Sequence, residues 1–218
     1  MGQDMNFYGR RLLFIGAHPD DIELGAGALI AQVAGQTDIL CVTLSDNQKN
    51  PALSHLVEEH HRSMDVLGVP KDGRILGPFE TRRFPDARQE ILEYFLKLNR
   101  DFRPEIVFVH TKADLHQDHG TITEEALRAF RGTTVLGFDV LRSSYGFFPN
   151  FLVEVTEQDV EKKIEALAQY STYKDKYYFS SEITRSTLIR NGALAERHYA
   201  EGFEALRIVG SFLKSLHT

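Results

Sequence analysis

Two apolar runs in this chain stop at clusters of histidine and aspartate. Leu13-Phe-Ile-Gly-Ala17 leads into His18-Pro19-Asp20-Asp21, and Ile106-Val-Phe-Val109 leads into His110-Thr-Lys-Ala-Asp114-Leu-His116-Gln-Asp118-His119. Imidazole and carboxylate together are the donor set of a catalytic zinc centre. A strand that ends in such a cluster presents it at one edge of a sheet, so two of them point to a single site.

His18 and Asp21 are three apart on a turn in which Pro19 fixes the backbone. Such a turn aims residues i and i+3 at one point and leaves Asp20 beside it. Capping a helix is the ordinary job of a lone aspartate here, but His-Pro-Asp-Asp as a set points to metal chemistry. His116 and His119, again three apart before a predicted helix, can share a face. Asp118 can accept from an imidazole N–H and raise its basicity. His110, at the very end of its strand, reads as packing or support for a ligand rather than a ligand itself.

The other chemically suggestive residues read as structural. His55 and His60 are five apart, about 140° around a helix, off the i, i+4 spacing of helical zinc motifs, so residues 55–61 read as a solvated helix face. His198 and His217 have no acidic or imidazole neighbours that recommend them. Gly25-Ala-Gly27 lacks the third glycine of a dinucleotide fingerprint, Ile30 standing there, and reads as close helix–sheet packing. Ser54 and Ser63 have no Gly-x-Ser-x-Gly surroundings and Cys41 lies mid-strand, which leaves no candidate nucleophile.

The elements that must position these groups follow from periodicity. Continuous apolar runs predict strands at 11–17, 38–44, 74–76, 105–109, 134–141 and 151–156. Helical spacing and stop signals predict helices at 25–34, 53–67, 86–99, 121–130, 157–170 and 193–216, the last in one piece or in two around Gly202 and Gly210, with Thr121-x-x-Glu124 in the form of a capping box. Strand–helix alternation over 11–141 predicts an α/β fold, a mostly parallel Rossmann-like sheet with helices on both faces and a C-terminal strand and helix elaboration. Ligands in such sheets bind outside the carboxyl ends of the strands, where both clusters begin. No repeat or linker divides the 218 residues, so one domain spanning 1–218 is expected.

The net charge of −6, with both signs interspersed, argues against nucleic-acid binding by phosphate neutralisation. No apolar stretch approaches the ~18 residues of a membrane span. The first residues lack the charged-then-apolar order of a signal peptide, and a single cysteine excludes a disulfide within the chain. A cytoplasmic location is the expectation.

Ala17-His18-Pro19-Asp20-Asp21 with Glu23-Leu24-Gly25-Ala26-Gly27, and Asp114-x-His116-Gln-Asp118-His119 downstream, resembles the LmbE/PIG-L family of zinc-dependent de-N-acetylases. The likeness runs on through Leu67-Gly68-Val69, Lys163-Ile164-x-Ala166-Leu167 and Tyr199-Ala200-Glu201-Gly202-Phe203-Glu204. It implies a Rossmann-like fold, Zn²⁺ or another divalent ion such as Fe²⁺, and removal of acetyl groups from N-acetylglucosaminyl compounds. Carried over position by position, it makes His18, Asp21 and His119 the metal ligands and Asp20 the general base. It makes His116 the oxyanion partner, protonated and held by Asp118. Ser45-Asp46-Asn47-Gln48, Ile22 ahead of Glu23, and Arg190-Asn191-Gly192 depart from the pattern of many relatives and bear on the substrate.

Arg82, Arg83 and Arg88 could meet a phosphate of a nucleotide- or lipid-linked sugar, surface ion pairing being the ordinary alternative; Asp114 is a further candidate for substrate contact. The reading is therefore a metal-dependent hydrolase of an N-acetylated amino sugar or its conjugate. Hydrolysis of another small amide, a catalytically silent metal- or sugar-binding protein, and a metal-free nucleotide-binding protein stand beside it. Monomer and homo-oligomer are both open, and the aromatic segment 147–179 reads as a substrate lid or an interface.

Overall fold

The structure is a computed structural model that describes residues 7–47 and 49–210. Its elements run β1 (Arg11–Gly16), α1 (Asp21–Val33), β2 (Asp38–Thr43), α2 (Leu56–Val66), β3 (Arg74–Leu76), α3 (Arg88–Phe102), β4 (Ile106–His110), α4 (Gln117–Ala129), β5 (Thr134–Phe138), β6 (Phe151–Glu154), α5 (Glu157–Ala168), α6 (Ser181–Leu194) and β7 (Ala200–Arg207). The strands form one seven-stranded sheet in the order β3-β2-β1-β4-β5-β7-β6. The first five are parallel, and β7 is antiparallel to both its neighbours. The sheet is thus mostly parallel with helices on both faces.

Alternate residues of each strand face opposite layers. Leu12 and Phe14 join Leu29, Met64 and Ala166 beneath α1, α2 and α5. Leu13 and Ile15 join Ile91, Phe95 and Ile122 beneath α3 and α4. Because both faces are covered, the central strands β1 and β4 are apolar along Leu12–Ile15 and Ile106–Val109. The strand order reverses between β1 and β4, whose carboxyl ends therefore open on a crevice that no helix fills.

Three sequence expectations are corrected. Residues 193–216 do not form one helix. α6 ends at Leu194, and Ala200–Arg207 is an eight-residue strand. Its Ala200 and Phe203 are fully buried, and pairing along β5 and β6 overrides the helical spacing; 211–216 lie outside the described residues. The capping box at Thr121 is not formed either. α4 starts four residues earlier with His116 at its N-cap, and the Thr121 hydroxyl donates to the Gln117 carbonyl. Finally, α1 begins at Asp21 rather than Gly25, so the His-Pro-Asp-Asp turn abuts the helix directly.

α1 is seated against the sheet by two features. A Cβ on Gly25 would stand 2.1 Å from a ring carbon of Phe138, so only glycine lets the helix approach so closely. A buried ion pair, Lys163 Nζ to Glu201 Oε1 at 2.7 Å, then locks into the helix backbone. Lys163 donates to the Leu24 carbonyl at 2.7 Å, while Glu201 accepts from the backbone N–H of Ala28 and Leu29. Leu24 and Ala28 are i and i+4, so the pair inserts into the helix ladder itself. No helix among the described residues is long and apolar enough to cross a membrane.

Removing one partner of this pair leaves an uncompensated buried charge, at a cost of ~3–5 kcal/mol. Glu201→Gln is expected to lower the guanidinium unfolding midpoint accordingly. The double variant Lys163→Met/Glu201→Gln should lose clearly less than the sum of the two single changes.

Candidate active site

The two loops that leave β1 and β4 meet in a cleft of about 410 Å³ lined by His18, Asp20, Asp21, His116 and His119. Three atoms form a triangle there. His18 Nδ1 is 3.5 Å from Asp21 Oδ2, His119 Nε2 is 3.4 Å from the same oxygen, and the two nitrogens are 3.3 Å apart. Nitrogen and oxygen ligands held tetrahedrally at ~2.0–2.1 Å from a metal stand about 3.3–3.5 Å from one another. The donor set and its spacing therefore fit a divalent ion.

The far side of each imidazole is fixed by a carboxylate. His119 Nδ1 lies 2.8 Å from Asp114 Oδ2, and His18 Nε2 lies 3.0 Å from Asp118 Oδ2. A neutral ring donates its single N–H to that carboxylate, which leaves the other nitrogen's lone pair aimed into the triangle. Asp21 Oδ2 is itself pinned by the backbone N–H of Ala17 and His18. His110, fully buried, lies 3.3 Å from the same oxygen and stacks on His119 with ring centroids 3.8 Å apart. Two other groupings could also gather an ion, His18–His116–His119 and Asp21–His110–His119. Buried His110 does not line the cleft, so the groupings that include His18 are the ones open to it.

The electrostatics favour a cation. Burial alone would depress His18, but hydrogen bonds to Asp118 and Asp21 outweigh it and lift its pKa to about 9. His119 is driven the other way, to about 4, by burial and by the neighbouring His110. Burial would raise Asp21, yet His119 and His110 hold it well below the carboxylate range. Without an ion, the triangle thus carries a proton on His18.

Asp20 stands apart from these ligand atoms. It occupies the N-cap position of α1 at φ 108°, a backbone conformation costly for a non-glycine residue, and its side chain makes no cap bond. Among the described residues no hydrogen bond reaches its carboxylate, which lines the cleft. Burial and the charge of Asp21 raise its pKa well above the ordinary value.

Other residues are placed differently from the sequence reading. Asp114 does not reach out to a substrate, because it accepts from His119, from Ser143 Oγ and from the His116 backbone. The Asp118 carboxylate holds His18 and accepts from the Arg82 and Phe84 backbone. It meets His116 only through the backbone, whose N–H donates to His116 Nδ1 at 3.1 Å. That bond puts the ring proton of neutral His116 on Nε2. Burial and the positive charge of His18 keep its pKa below the usual value, so it is neutral rather than protonated at pH 7. Arg82 lines the cleft in a left-handed conformation, φ 67°. Arg83 is exposed, pairs with Asp86 and does not line the cleft, and Arg88 pairs with Glu124 and Glu125.

His60 is a correction of another kind. It is buried, not solvated, with Nδ1 3.0 Å from both Glu23 Oε1 and the Tyr170 hydroxyl, and so ties α2 to α1. The sequence reading missed Arg142, which lines the cleft from the loop after β5; Tyr173 and Tyr178, from the aromatic segment 147–179 read as a lid or an interface, line it from between α5 and α6. The Arg142 guanidinium sits 5.9 Å over the Tyr178 ring. The missed signal was positional: Arg142 follows the carboxyl end of a parallel strand.

The fold and the His/Asp cleft define an α/β protein with a candidate metal centre at a topological switch point. Residues 13–130 match the model of the PIG-L family, described as GlcNAc-PI de-N-acetylase. The uncharacterised deacetylase YaiS of Escherichia coli K12 is 30% identical over 174 residues, 74% of this chain and 90% of that protein. The chain therefore belongs to the PIG-L family of deacetylases. Among solved structures, GalB, the 4-carboxy-2-hydroxymuconate hydratase of Pseudomonas putida KT2440, superposes with TM-score 0.73 at 18% identity, covering 93% of this chain and 99% of that one. The N,N'-diacetylchitobiose deacetylase of Pyrococcus horikoshii does so with TM-score 0.68 at 18% identity, covering 89% and 83%. Those two likenesses show the fold alone.

Two outcomes are expected. Asp114→Asn, which keeps the shape but removes the charge behind His119, should weaken binding of a divalent ion about 10–100-fold in a competition assay with a chromogenic chelator. At pH 7 the ion must displace the proton held by His18, whose pKa is about 9. Binding should then release at least one proton, fading as the pH rises past that value. Calorimetric titrations in buffers of different ionisation heat count the protons, and none released at pH 7 would contradict the assignment.

Proposed function

We propose that this chain is a metal-dependent hydrolase that removes the acetyl group from an N-acetylated amino sugar of the N-acetylglucosamine type, free or conjugated, releasing acetate and the free amine. The observation that carries this is the juxtaposition of the His18–Asp21–His119 triangle with an aspartate, Asp20, whose carboxylate faces the same cleft without a partner. His18, Asp21 and His119 would hold the ion; zinc suits two imidazoles and a carboxylate, and Fe²⁺ is the second choice. When bound, such an ion supplies a Lewis acid that lowers the pKa of water and polarises a carbonyl oxygen.

The protein's own groups do the rest. Asp20 takes the proton of the attacking water as the oxygen adds to the acetyl carbonyl, and returns a proton to the nitrogen as the C–N bond breaks. Burial and the charge of Asp21 hold the Asp20 pKa high; a cation held by His18, Asp21 and His119 would oppose the second of these and favour the ionised form that a base requires. Neutral His116, its Nε2–H fixed by the bond at Nδ1, donates to the carbonyl oxygen as negative charge builds there. Asp118 and Asp114 hold the ligand imidazoles in the required tautomers. Arg82 and Arg142, at the cleft walls, are the candidates for orienting the sugar or an anionic group on it. The 218 residues act as one domain in this reading. A cytoplasmic setting is supported by a single, buried cysteine.

The family match favours amide hydrolysis over the hydration seen in a protein of similar fold. The test is acetate release from N-acetylglucosamine and its conjugates by the metal-loaded protein, with and without chelator. Asp20→Asn is expected to lower kcat by ~10²–10⁴-fold while the ion stays bound at one per chain. Loss of the ion in that variant, or full activity, would sink the assignment of Asp20.

A further inference from the structure

The cleft does not stand alone at the carboxyl edge of the sheet. On the β2–β3 side it shares Asn47, Leu53, Thr81 and Arg82 with a second hollow of about 290 Å³, which continues over Pro78, Phe79 and Glu80. On the β5–β7 side it shares Tyr178 with a third hollow of about 250 Å³ beneath α6. The residues of the loop after β5 divide between the two, Leu141 and Ser144 to the third hollow, Arg142 and Ser143 to the cleft. The three hollows therefore lie side by side in the order of the strands, with the catalytic groups in the middle.

The flanking hollows have one chemistry. Each presents hydroxyls and amides beside an aromatic ring: Asn47, Thr81 and Phe79 on one side, Thr187, Asn191 and Phe147 on the other. Their lysines are already matched, Lys49 to Glu80 and Lys163 to Glu201; each hollow also carries an arginine, Arg82 on one side and Arg190, which donates to Asn191 and lies over Phe148, on the other. Asp139 lines the third hollow and its buried Oδ1 has no hydrogen-bond partner among the described residues. A lining of this kind suits a polyhydroxylated ring, whose C–H face meets the aromatic and whose hydroxyls both donate and accept, guanidinium groups being donors to such hydroxyls as well. Counting a water at ~30 Å³ of liquid volume, each flanking hollow holds about eight to ten waters, roughly enough for one pyranose with its hydroxyls.

We propose that the enzyme acts on an interior unit of a saccharide, an N-acetylated sugar substituted on both sides, with the hydroxylated neighbours seated in the two flanking hollows. This rests on the deacetylase reading above and commits it to a chain rather than to a monosaccharide. The probe is the β-1,4-linked trisaccharide of N-acetylglucosamine set against the monosaccharide. With metal-loaded protein, kcat/KM for the trisaccharide should exceed that for the monosaccharide at least tenfold. Mass spectrometry of reducing-end-labelled product should place the first free amine on the middle ring.

Glu80→Trp and Thr187→Trp, one in each flanking hollow, should each cut the trisaccharide-to-monosaccharide ratio at least tenfold. Placed in an Asp20→Asn background, Thr187→Trp should weaken trisaccharide binding by a similar factor in calorimetry, a readout free of turnover. Equal kcat/KM for the two sugars, first deacetylation at a terminal ring, or variants that leave the ratio unchanged would overturn the inference while leaving the deacetylase reading intact. Absence of turnover on every acetylated sugar would overturn both.

Discussion

Everything at this site hangs on two carboxylate–imidazole bonds, Asp118 to His18 and Asp114 to His119. Each does three things at once. It chooses the tautomer, it stops the ring from turning, and it sets negative charge behind a nitrogen that must face a cation. The first bond also spans the switch point of the sheet. His18 arrives on the loop from β1 and Asp118 on the first turn of α4, after β4, so the parallel pairing of those two strands is what brings them within reach. A shift of register between them would dismantle the triangle without altering a single ligand.

The rest of the fold defends that geometry. Helix α1 carries Asp21 in its first turn, and its position is fixed by the Gly25–Phe138 contact and by the Lys163–Glu201 pair inserted into its backbone ladder. Helix α2 adds the buried His60–Glu23 contact two residues beyond Asp21. These groups lie on β5, β7, α5 and α2, none of which supplies a candidate ligand. Their common effect is to hold the start of α1 still. The His-Pro-Asp-Asp turn can then keep a strained Asp20, since a sparsely populated backbone conformation persists only where its surroundings over-determine it.

How much of this was legible in the chain follows from what each residue depends on. The parallel half was readable because strands covered on both faces are apolar without interruption, as Leu12–Ile15 and Ile106–Val109 are. The two His/Asp clusters were readable because their residue types are rare together and sit where those runs stop, while the choice of His119 rather than His116 as a candidate ligand came from the family resemblance. The last strand was not, because Ala200–Arg207 mixes small, charged and apolar residues, and only its pairing with β5 and β6 makes it a strand. Asp114 was misjudged for a related reason. Spacing tells which side chains leave the same strand end, but not which of them face one another, and it faces His119 and Ser143 rather than the opening of the cleft. His60 looked like a surface residue because its partners, Glu23 and Tyr170, come from distant parts of the sequence.

Charge gives the deeper reason why the turn is built as it is. Four aspartates, Asp20, Asp21, Asp114 and Asp118, surround the triangle and its histidines, more negative charge than neutral imidazoles can compensate. In the absence of an ion the excess is relieved by a proton on His18 and by the raised pKa of Asp20. A divalent charge held by His18, Asp21 and His119 would oppose both adjustments, displacing the His18 proton and offsetting the charge of Asp21 beside Asp20. Asp20 can respond in this way only because its carboxylate is free. An unstrained N-cap aspartate would turn its side chain onto the backbone N–H groups of the first helical turn and remain an ionised structural anchor. At φ 108° Asp20 makes no such bond, and the carboxylate of an ordinary helix-capping residue is left lining the cleft.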